Sequence, residues 1–283
     1  MRVRIALSSC TLLLLLVALS GHSASAQVAA RPAPAPTPPD MHALVDETVV
    51  DASIPDDKPV DKMLEAYAPK VRALDQAIGK LKGDLRKGGM GAGSIGNFVA
   101  TGIREEASRK LGVPIPLAVT NNGGLRKSEI GEGDLRVRDI FELLPFENAL
   151  VAFDLTGKQV IDLLRIVVSH GDAQSGARIK YRRDSDKKTE LASARLLVDG
   201  QEKEIDPVAT YTVISIDYLL KVTGGDYTIL HDAKNVKPLG LTIRDAMIDY
   251  VKSETAAGRE IRPTLDGRFI LDKSSTERPE QPQ

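Results

Sequence analysis

A short glycine-rich segment offers the clearest chemistry in this sequence. The apolar run IPLAVT, residues 115–120, leads directly into NNGGLR, residues 121–126, which predicts a buried strand entering a loop. Glycine lets the backbone turn tightly and approach a ligand closely. Asn121 supplies an amide, and the planar guanidinium of Arg126 can donate two hydrogen bonds to a phosphate. The segment is a candidate ligand site, with an Asn-Gly turn and a solvated arginine as the alternative.

A second glycine-rich segment, GAGSIG at residues 91–96, has the glycine spacing of dinucleotide-binding proteins. That fingerprint needs a buried strand directly before it and an acidic residue about 20 positions later. Residues 82–89 are instead polar, and the next predicted strand ends in Thr120 and Asn121. We therefore interpret the segment as a mobile loop before a helix that Gly96 opens, and a Rossmann-type oxidoreductase remains a remote alternative.

Several motifs follow one another in a characteristic order. They are NNGGLR at 121–126, LLPFEN at 143–148, LTG at 155–157, DY at 217–218 and GGD at 224–226. This order resembles the signature of the 5'-nucleotidase C-terminal domain. GNFV at residues 96–99 and DGRF at residues 266–269 are similar to that family as well. The resemblance extends from about Asp46 to Asp272.

The resemblance implies a site for a nucleoside or nucleotide. In the family, the base stacks between two aromatic rings, which correspond here to Phe146 and Tyr218. The family aspartate that accepts hydrogen bonds from the ribose hydroxyls matches Asp226. Asn121 and Arg126 match residues at the ribose-phosphate end. For Phe146, ordinary core packing is the alternative role.

Some positions depart from the family pattern. Members carry arginines a few residues before Gly-Asn that help to bind phosphate, whereas residues 88–94 contain no basic residue. Thr101 stands where the family has an aspartate, and Tyr227 stands where a glycine is common. Arg86 or Lys87 could fold back to supply the missing charge.

No catalytic residue and no metal ligand are predicted in this chain. The family's hydrolysis belongs to a separate N-terminal domain with two metal ions, which clamp the attacking and leaving oxygens. Three histidines lie beyond residue 26, His42, His170 and His231; we interpret the first as a linker residue and the other two as solvated. The resemblance therefore implies no cofactor in this chain, and a dimetal site supplied by a separate metallophosphatase domain or polypeptide.

Helical and strand periodicities are interspersed along the chain. Apolar residues recur at three- and four-residue intervals between residues 60 and 78, which predicts one helical face. Strands are predicted over 150–155 and 210–216, with Thr156 as the N-cap of a following helix. The other predicted elements are a hairpin turning at Asp199-Gly200, a helix over 241–252 and a strand over 268–271. This mixture predicts a single α+β domain, a mixed sheet with packed helices.

The chain ends predict export. Arg2 and Arg4 precede a short apolar core, and Ala24-Ser25-Ala26 offers a signal-peptidase site. Cys10 lies before that core, which disfavours lipid anchoring. The predicted order is a signal peptide at 1–26, a Pro/Ala-rich linker at 27–45, the domain at 46–272 and a disordered tail at 273–283. We expect a periplasmic or secreted protein with no transmembrane segment after signal removal.

Composition narrows the function further. The chain has one cysteine, which excludes a disulfide framework. Its net charge of −1 gives no indication of a nucleic-acid groove or a polybasic membrane patch. The leading hypothesis is an exported nucleotide-binding domain for nucleotide catabolism, a hydrolase by family resemblance but inactive alone. The alternative is a degenerate scaffold without a ligand, or a protein-interaction domain of the cell envelope.

Overall fold

The computed structural model describes residues 46–47, 49–184, 186 and 188–273. The predicted signal peptide, the linker and nearly all of the predicted tail lie outside the described residues. The chain divides into two units, Met1–Pro55 and Asp56–Gln283. The described residues of the first unit form neither helix nor strand, so the elements below belong to the second.

Helices and strands alternate through the second unit. The helices are α1 (Lys58–Glu65), α2 (Ala68–Leu74), α3 (Gly93–Leu111), α4 (Val137–Leu143), α5 (Gly157–His170), α6 (Asp217–Lys221) and α7 (Ile243–Ala256). The strands are β1 (Ala77–Leu81), β2 (Leu85–Arg86), β3 (Leu117–Thr120), β4 (Glu129–Ile130), β5 (Gly133–Arg136), β6 (Ala149–Thr156), β7 (Ala173–Ser175), β8 (Ala177–Arg183), β9 (Thr189–Val198), β10 (Gln201–Glu204), β11 (Thr210–Ile216), β12 (Lys234–Thr242) and β13 (Phe269–Leu271). Across the described residues, no helix has the length and apolarity needed to cross a membrane.

Five strands form the central sheet, in the order β12-β6-β11-β3-β7. β6 pairs antiparallel with both β12 and β11, and β7 pairs antiparallel with β3. β11 and β3 run parallel, with Val213 opposite Leu117. A second sheet, ordered β10-β9-β8-β13, also contains both kinds of pairing. The predicted α+β fold with a mixed sheet is confirmed.

The core forms where the central sheet meets its helices. α3 packs against β3 and α5 packs against β6. β3 is buried along its whole length, and Phe153 of β6 is fully buried. Each large aliphatic or aromatic side chain buried in this way stabilises the fold by about 1.5–3 kcal/mol. The core thereby fixes the sheet edge from which the candidate site emerges.

Local sequence signals set several boundaries as predicted. Thr156 caps α5, because its side chain accepts a hydrogen bond from the backbone N–H of Gln159 (3.3 Å). The Gln159 side chain in turn accepts from the backbone N–H of Thr156 (2.9 Å), which completes a capping box. β9 and β10 form the predicted hairpin, with φ of 53° at Asp199 and 75° at Gly200. Positive φ at both turn positions matches the right-handed twist of a hairpin.

The apolar stripe over residues 60–78 does not form one helical face, so that prediction was wrong in its extent. It is divided between α1 and α2, with Pro69 near the start of α2, where its missing N–H does no harm. Neither helix contains a buried residue. Ile78 belongs to β1 instead, and it is buried.

The segment at residues 91–96 is packed and is not the mobile loop that the sequence indicated. It passes from a short 3-10 turn into α3, which begins at Gly93. A Cβ at Gly96 would lie 1.8 Å from the carbonyl oxygen of Gly91, and a Cβ at Gly91 would lie 2.3 Å from the ring of Phe269. These glycines therefore permit close packing. The preceding strand, β2, has 2 residues and is no dinucleotide-fold strand.

Candidate functional site

Three motifs meet at one edge of the central sheet. Because β3 and β11 run parallel, their carboxyl ends, Thr120 and Ile216, lie at the same edge. β6 runs antiparallel to β11, with Leu150 opposite Ile216, so the start of β6 lies at this edge as well. The topology thereby brings together the NNGGLR, LLPFEN and DY motifs.

A cavity of about 350 Å³ opens between these motifs. Its lining residues are Asn121, Gly123, Gly124, Phe146, Asn148 and Tyr218. The structure therefore brings Asn121, Phe146 and Tyr218 together, whereas Arg126 and Asp226 do not belong to this lining. Asn148 belongs to the LLPFEN motif but was not predicted as a ligand residue. Its position two residues after Phe146 was the feature of the sequence that could have indicated it.

The two aromatic side chains present their rings to solvent. Phe146 is 49% exposed and Tyr218 is 52% exposed. Aromatic rings contribute most to stability when they are buried, so such exposure argues against the core-packing role considered for Phe146. Two exposed rings on one cavity provide apolar walls for a flat ligand.

Arg244 of α7 fixes the loop that carries Phe146. Its Nε donates to the carbonyl oxygen of Leu144 (3.1 Å), and its Nη2 donates to the carbonyl oxygen of Pro145 (2.8 Å). The guanidinium also lies 4.1 Å from the ring centroid of Phe141, a favourable cation–π contact. Sequence reasoning missed Arg244, since nothing in α7 marks the arginine that reaches this loop.

The turn after β3 leaves an unsatisfied acceptor at the cavity. The Oδ1 atom of Asn121 is buried and has no hydrogen-bond partner within the described part of the chain. A Cβ at Gly124 would lie 2.9 Å from this oxygen, so glycine leaves room for the amide. A buried acceptor without a partner costs about 1–3 kcal/mol. A donor from a ligand would remove that cost.

Two basic side chains, Lys87 and Arg126, contact the backbone of the same turn. The Lys87 ammonium donates to the carbonyl oxygens of Asn122 (3.0 Å) and Leu125 (2.7 Å). Burial and the charge of Arg126 lower the pKa of Lys87. Arg126 Nη1 donates to the carbonyl oxygen of Gly123 (3.3 Å). Within the described residues, no ion pair joins either cation to a carboxylate.

Arg86 does not share this role, although it is adjacent to Lys87. Its guanidinium pairs with Asp84 (2.7 Å) and with Glu129 (2.9 Å). Of the two basic residues considered as substitutes for the family arginines, Lys87 alone folds onto the NNGGLR turn.

Asp226 stands at the start of a 3-10 turn, directly after Gly225, whose φ is 79°. Its side chain is 61% exposed. The Nε2 atom of His170 lies 2.9 Å from Asp226 Oδ2. His170, interpreted from sequence as a solvated residue, is therefore a partner of a predicted site residue. No sequence signal linked these two positions.

His231 does not line this cavity. His231 lies in the turn after Asp226, and its Nε2 is 2.9 Å from the carbonyl oxygen of Val222. His42 lies outside the described residues. Among the residues that the structure describes, no group of three or more His, Cys, Asp or Glu side chains is arranged to hold a metal ion.

Comparison with known protein families identifies the domain. The sequence profile described as "5'-nucleotidase, C-terminal domain" matches residues 74–232, more than half of the chain. The chain belongs to the 5'-nucleotidase C-terminal domain family. The matched range contains all five predicted ligand residues, and the resemblance seen in the motif order is confirmed.

Similar proteins with curated descriptions are larger. The trifunctional nucleotide phosphoesterase protein YfkN of Bacillus subtilis is 28% identical over 185 residues, which cover 62% of this chain and 12% of the relative. A 5'-nucleotidase of Vibrio parahaemolyticus is 29% identical over 189 residues, covering 64% of this chain and 30% of the relative. This 5'-nucleotidase C-terminal domain protein thus spans less than a third of either relative.

A solved structure shows the same fold. The 5'-nucleotidase precursor from Thermus thermophilus superposes with a TM-score of 0.62 at 26% identity. The superposition covers 78% of this chain and 44% of the solved chain. The mixed sheet and its packed helices are therefore those of a 5'-nucleotidase C-terminal domain.

Proposed function

We propose that this 5'-nucleotidase C-terminal domain binds a nucleoside or nucleotide in the cavity between Phe146 and Tyr218. The observation that supports the proposal is the presence of two exposed rings on one cavity, which is also lined by Asn121, the residue with the unsatisfied amide oxygen. Stacking on aromatic rings tolerates any base and stabilises it by about 1–3 kcal/mol. The Asn121 oxygen can accept a hydrogen bond from the ligand.

The two ends of the ligand have separate partners in this proposal. Asp226 accepts hydrogen bonds from the sugar hydroxyls. Arg126 binds the phosphate, and Lys87 adds the charge that the family arginines would supply. A nuclear magnetic resonance titration with adenosine tests the location of the site. The amide signals of residues 121–124 and 146–148 should show the largest changes in chemical shift. Shifts confined to other parts of the chain would contradict it.

Gly124→Ala is expected to weaken adenosine binding about tenfold, or ~1.4 kcal/mol, without changing the unfolding temperature. The added methyl would lie 2.9 Å from Asn121 Oδ1 and must displace that amide. Gly123→Ala is the matched control, since its Cβ would lie at an ordinary 3.5 Å from Asn121 Nδ2. Isothermal calorimetry with both variants checks this, and equal affinities would refute the role of Asn121.

Lys87→Met is expected to weaken AMP binding about tenfold, since one charge-assisted contact is worth about 1.5–3 kcal/mol. Adenosine, which lacks the phosphate, should bind the variant as well as it binds the wild type. Arg86→Met is the control, because Arg86 is paired with carboxylates. An equal loss for AMP and adenosine would show that Lys87 merely fixes the loop.

We propose further that the protein is an exported recognition half, acting in the periplasm or outside the cell. The dimetal hydrolase site that the family resemblance implies would then come from a separate metallophosphatase polypeptide. Incubation of the purified chain with AMP and manganese or zinc tests this division. We expect no phosphate release, and metal-dependent release would contradict it.

A degenerate scaffold, or a protein-interaction domain of the cell envelope, is the second candidate. It is favoured by residues 88–94, which lack the family's basic residues, and by the pairing of Arg86 with Asp84 and Glu129. This candidate predicts no nucleoside binding at all. The two candidates therefore differ in whether the chain binds a nucleoside and in whether replacing the two exposed rings reduces that binding.

A further inference from the structure

One imidazole bridges two carboxylates beside the proposed site. His170 Nε2 lies 2.9 Å from Asp226 Oδ2, and His170 Nδ1 lies 3.6 Å from Asp172 Oδ2. His170 ends α5, Asp172 precedes β7, and Asp226 follows Gly225 in the loop after α6. The fold thus assembles a chain of three polar side chains from distant parts of the sequence.

Asp172 is the fixed end of this chain. It is only 3% exposed, and a buried carboxylate is costly unless it is hydrogen-bonded. Tyr227 donates its hydroxyl to Asp172 Oδ2 (2.6 Å), and the backbone N–H of Asn122 donates to Asp172 Oδ1 (2.6 Å). Burial and the charge of Asp172 raise the pKa of Tyr227. The hydroxyl therefore stays protonated and remains a donor.

His170 is held from two sides. Asp172 faces one ring nitrogen, and the ring of Tyr227 packs against the imidazole edge-on, with centroids 5.6 Å apart and planes at 66°. Asp226, in contrast, is exposed and follows two glycines. A carboxylate in such a position has many rotamers, and ordering a side chain costs entropy. The contact with His170 fixes Oδ2 of Asp226 and leaves Oδ1 for a ligand.

The same buried carboxylate also holds the cavity wall. Asn122, whose N–H it accepts, follows Asn121 directly in the turn that lines the cavity. Asp172 therefore connects the two turns. It accepts the backbone N–H of Asn122 in the turn after β3, and it faces His170, which contacts Asp226 in the other turn. We propose that Asp172 and His170 are positioning residues that hold Asp226 for the sugar hydroxyls and so set a preference for ribose over deoxyribose. This inference rests on the proposed nucleoside-binding function.

The test compares adenosine with 2',3'-dideoxyadenosine, which lacks the hydroxyls that Asp226 would bind. In calorimetric titrations of the full chain, His170→Ala should weaken adenosine binding about tenfold and leave dideoxyadenosine binding unchanged. His170→Gln, which keeps a side-chain donor, should recover part of the loss. His231→Ala is the matched control, because this exposed histidine bonds a backbone carbonyl in the same loop.

The outcomes separate the inference from the function on which it rests. An adenosine affinity that His170→Ala leaves unchanged, with dideoxyadenosine also still bound, overturns the positioning role alone. Equal weakening of both ligands also overturns it, since that result means a general structural role. Failure of the folded wild type to bind either ligand overturns the proposed function and this inference together.

Discussion

Replacing both Phe146 and Tyr218 by alanine is expected to weaken nucleotide binding by about 2–6 kcal/mol, since each stacking ring contributes about 1–3 kcal/mol. Both rings are about half exposed, so their removal creates no core cavity. The free energy of unfolding should therefore change by less than about 1 kcal/mol. Calorimetric titration with AMP and urea unfolding measure the two quantities on the same sample.

Tyr67→Ala is the matched control for this pair. Tyr67 is also exposed, but it lies between α1 and α2 and is not one of the residues that line the cavity. It should change neither binding nor stability. If the double variant unfolds at the cost typical of a buried ring, about 3–5 kcal/mol, the rings belong to the core. If its AMP affinity equals that of the wild type, the scaffold interpretation is correct.

Replacing Arg268 by methionine is expected to lower the free energy of unfolding by about 2–3 kcal/mol, because it removes the hydrogen bonds of a buried guanidinium and leaves the partly exposed Asp266 without its partner. Arg268 is buried and forms two hydrogen bonds to Asp266, from Nε to Oδ1 (2.9 Å) and from Nη2 to Oδ2 (2.8 Å). It also donates to the carbonyl oxygen of Gln174 (2.9 Å) and to the hydroxyl of Thr101 (3.1 Å). Thr101, which departs from the family aspartate, thus has a structural partner.

The loss should depend on pH in a defined direction. Burial raises the pKa of Asp266, but hydrogen bonds and the charge of Arg268 outweigh it, so the pKa is lowered overall. A carboxyl group whose pKa is lower in the folded state than in the unfolded state stabilises the fold at pH values above its unfolded pKa of about 4. This contribution is lost as the pH falls through the pKa of the folded state. The difference between wild type and Arg268→Met should therefore shrink below about pH 4.

Arg262→Met provides the control for Arg268. Arg262 forms an exposed ion pair with Glu260 (3.2 Å), and such pairs contribute about 0–1 kcal/mol. Urea unfolding near neutral and acidic pH compares the variants. An Arg268→Met protein as stable as Arg262→Met at neutral pH would show that the contacts of Arg268 do not stabilise the fold.

Motif order predicted most of the fold and part of the site. The glycines, the L-P-F segment and Thr156 have local roles in turns and helix caps, so they were visible in the sequence. Asn121, Phe146 and Tyr218 lie on one cavity because strand pairing brings their loops to one sheet edge. The placement of Arg126 and Asp226 outside that lining depends on side-chain directions, which motifs do not encode.

Residues that act across the fold were not predicted. Arg244 reaches Leu144 and Pro145 from a helix about 100 positions away, and His170 reaches Asp226 across 56 positions. Such contacts exist only once the core is packed, so periodicity carries no signal for them. The single helical face predicted over residues 60–78 was wrong for a different reason. Amphipathic spacing indicates a helix, but it does not ensure that the apolar face is covered by other elements.

A calorimetric titration of the full chain with adenosine, AMP and UDP-glucose tests whether this domain binds a nucleoside or nucleotide. We expect saturable binding of at least one of these ligands at one site per chain, abolished when Asp226→Ala is combined with the Phe146 and Tyr218 substitutions. No binding of any of the three by correctly folded protein would contradict it, and the domain would then be a scaffold that has kept the family fold without its ligand.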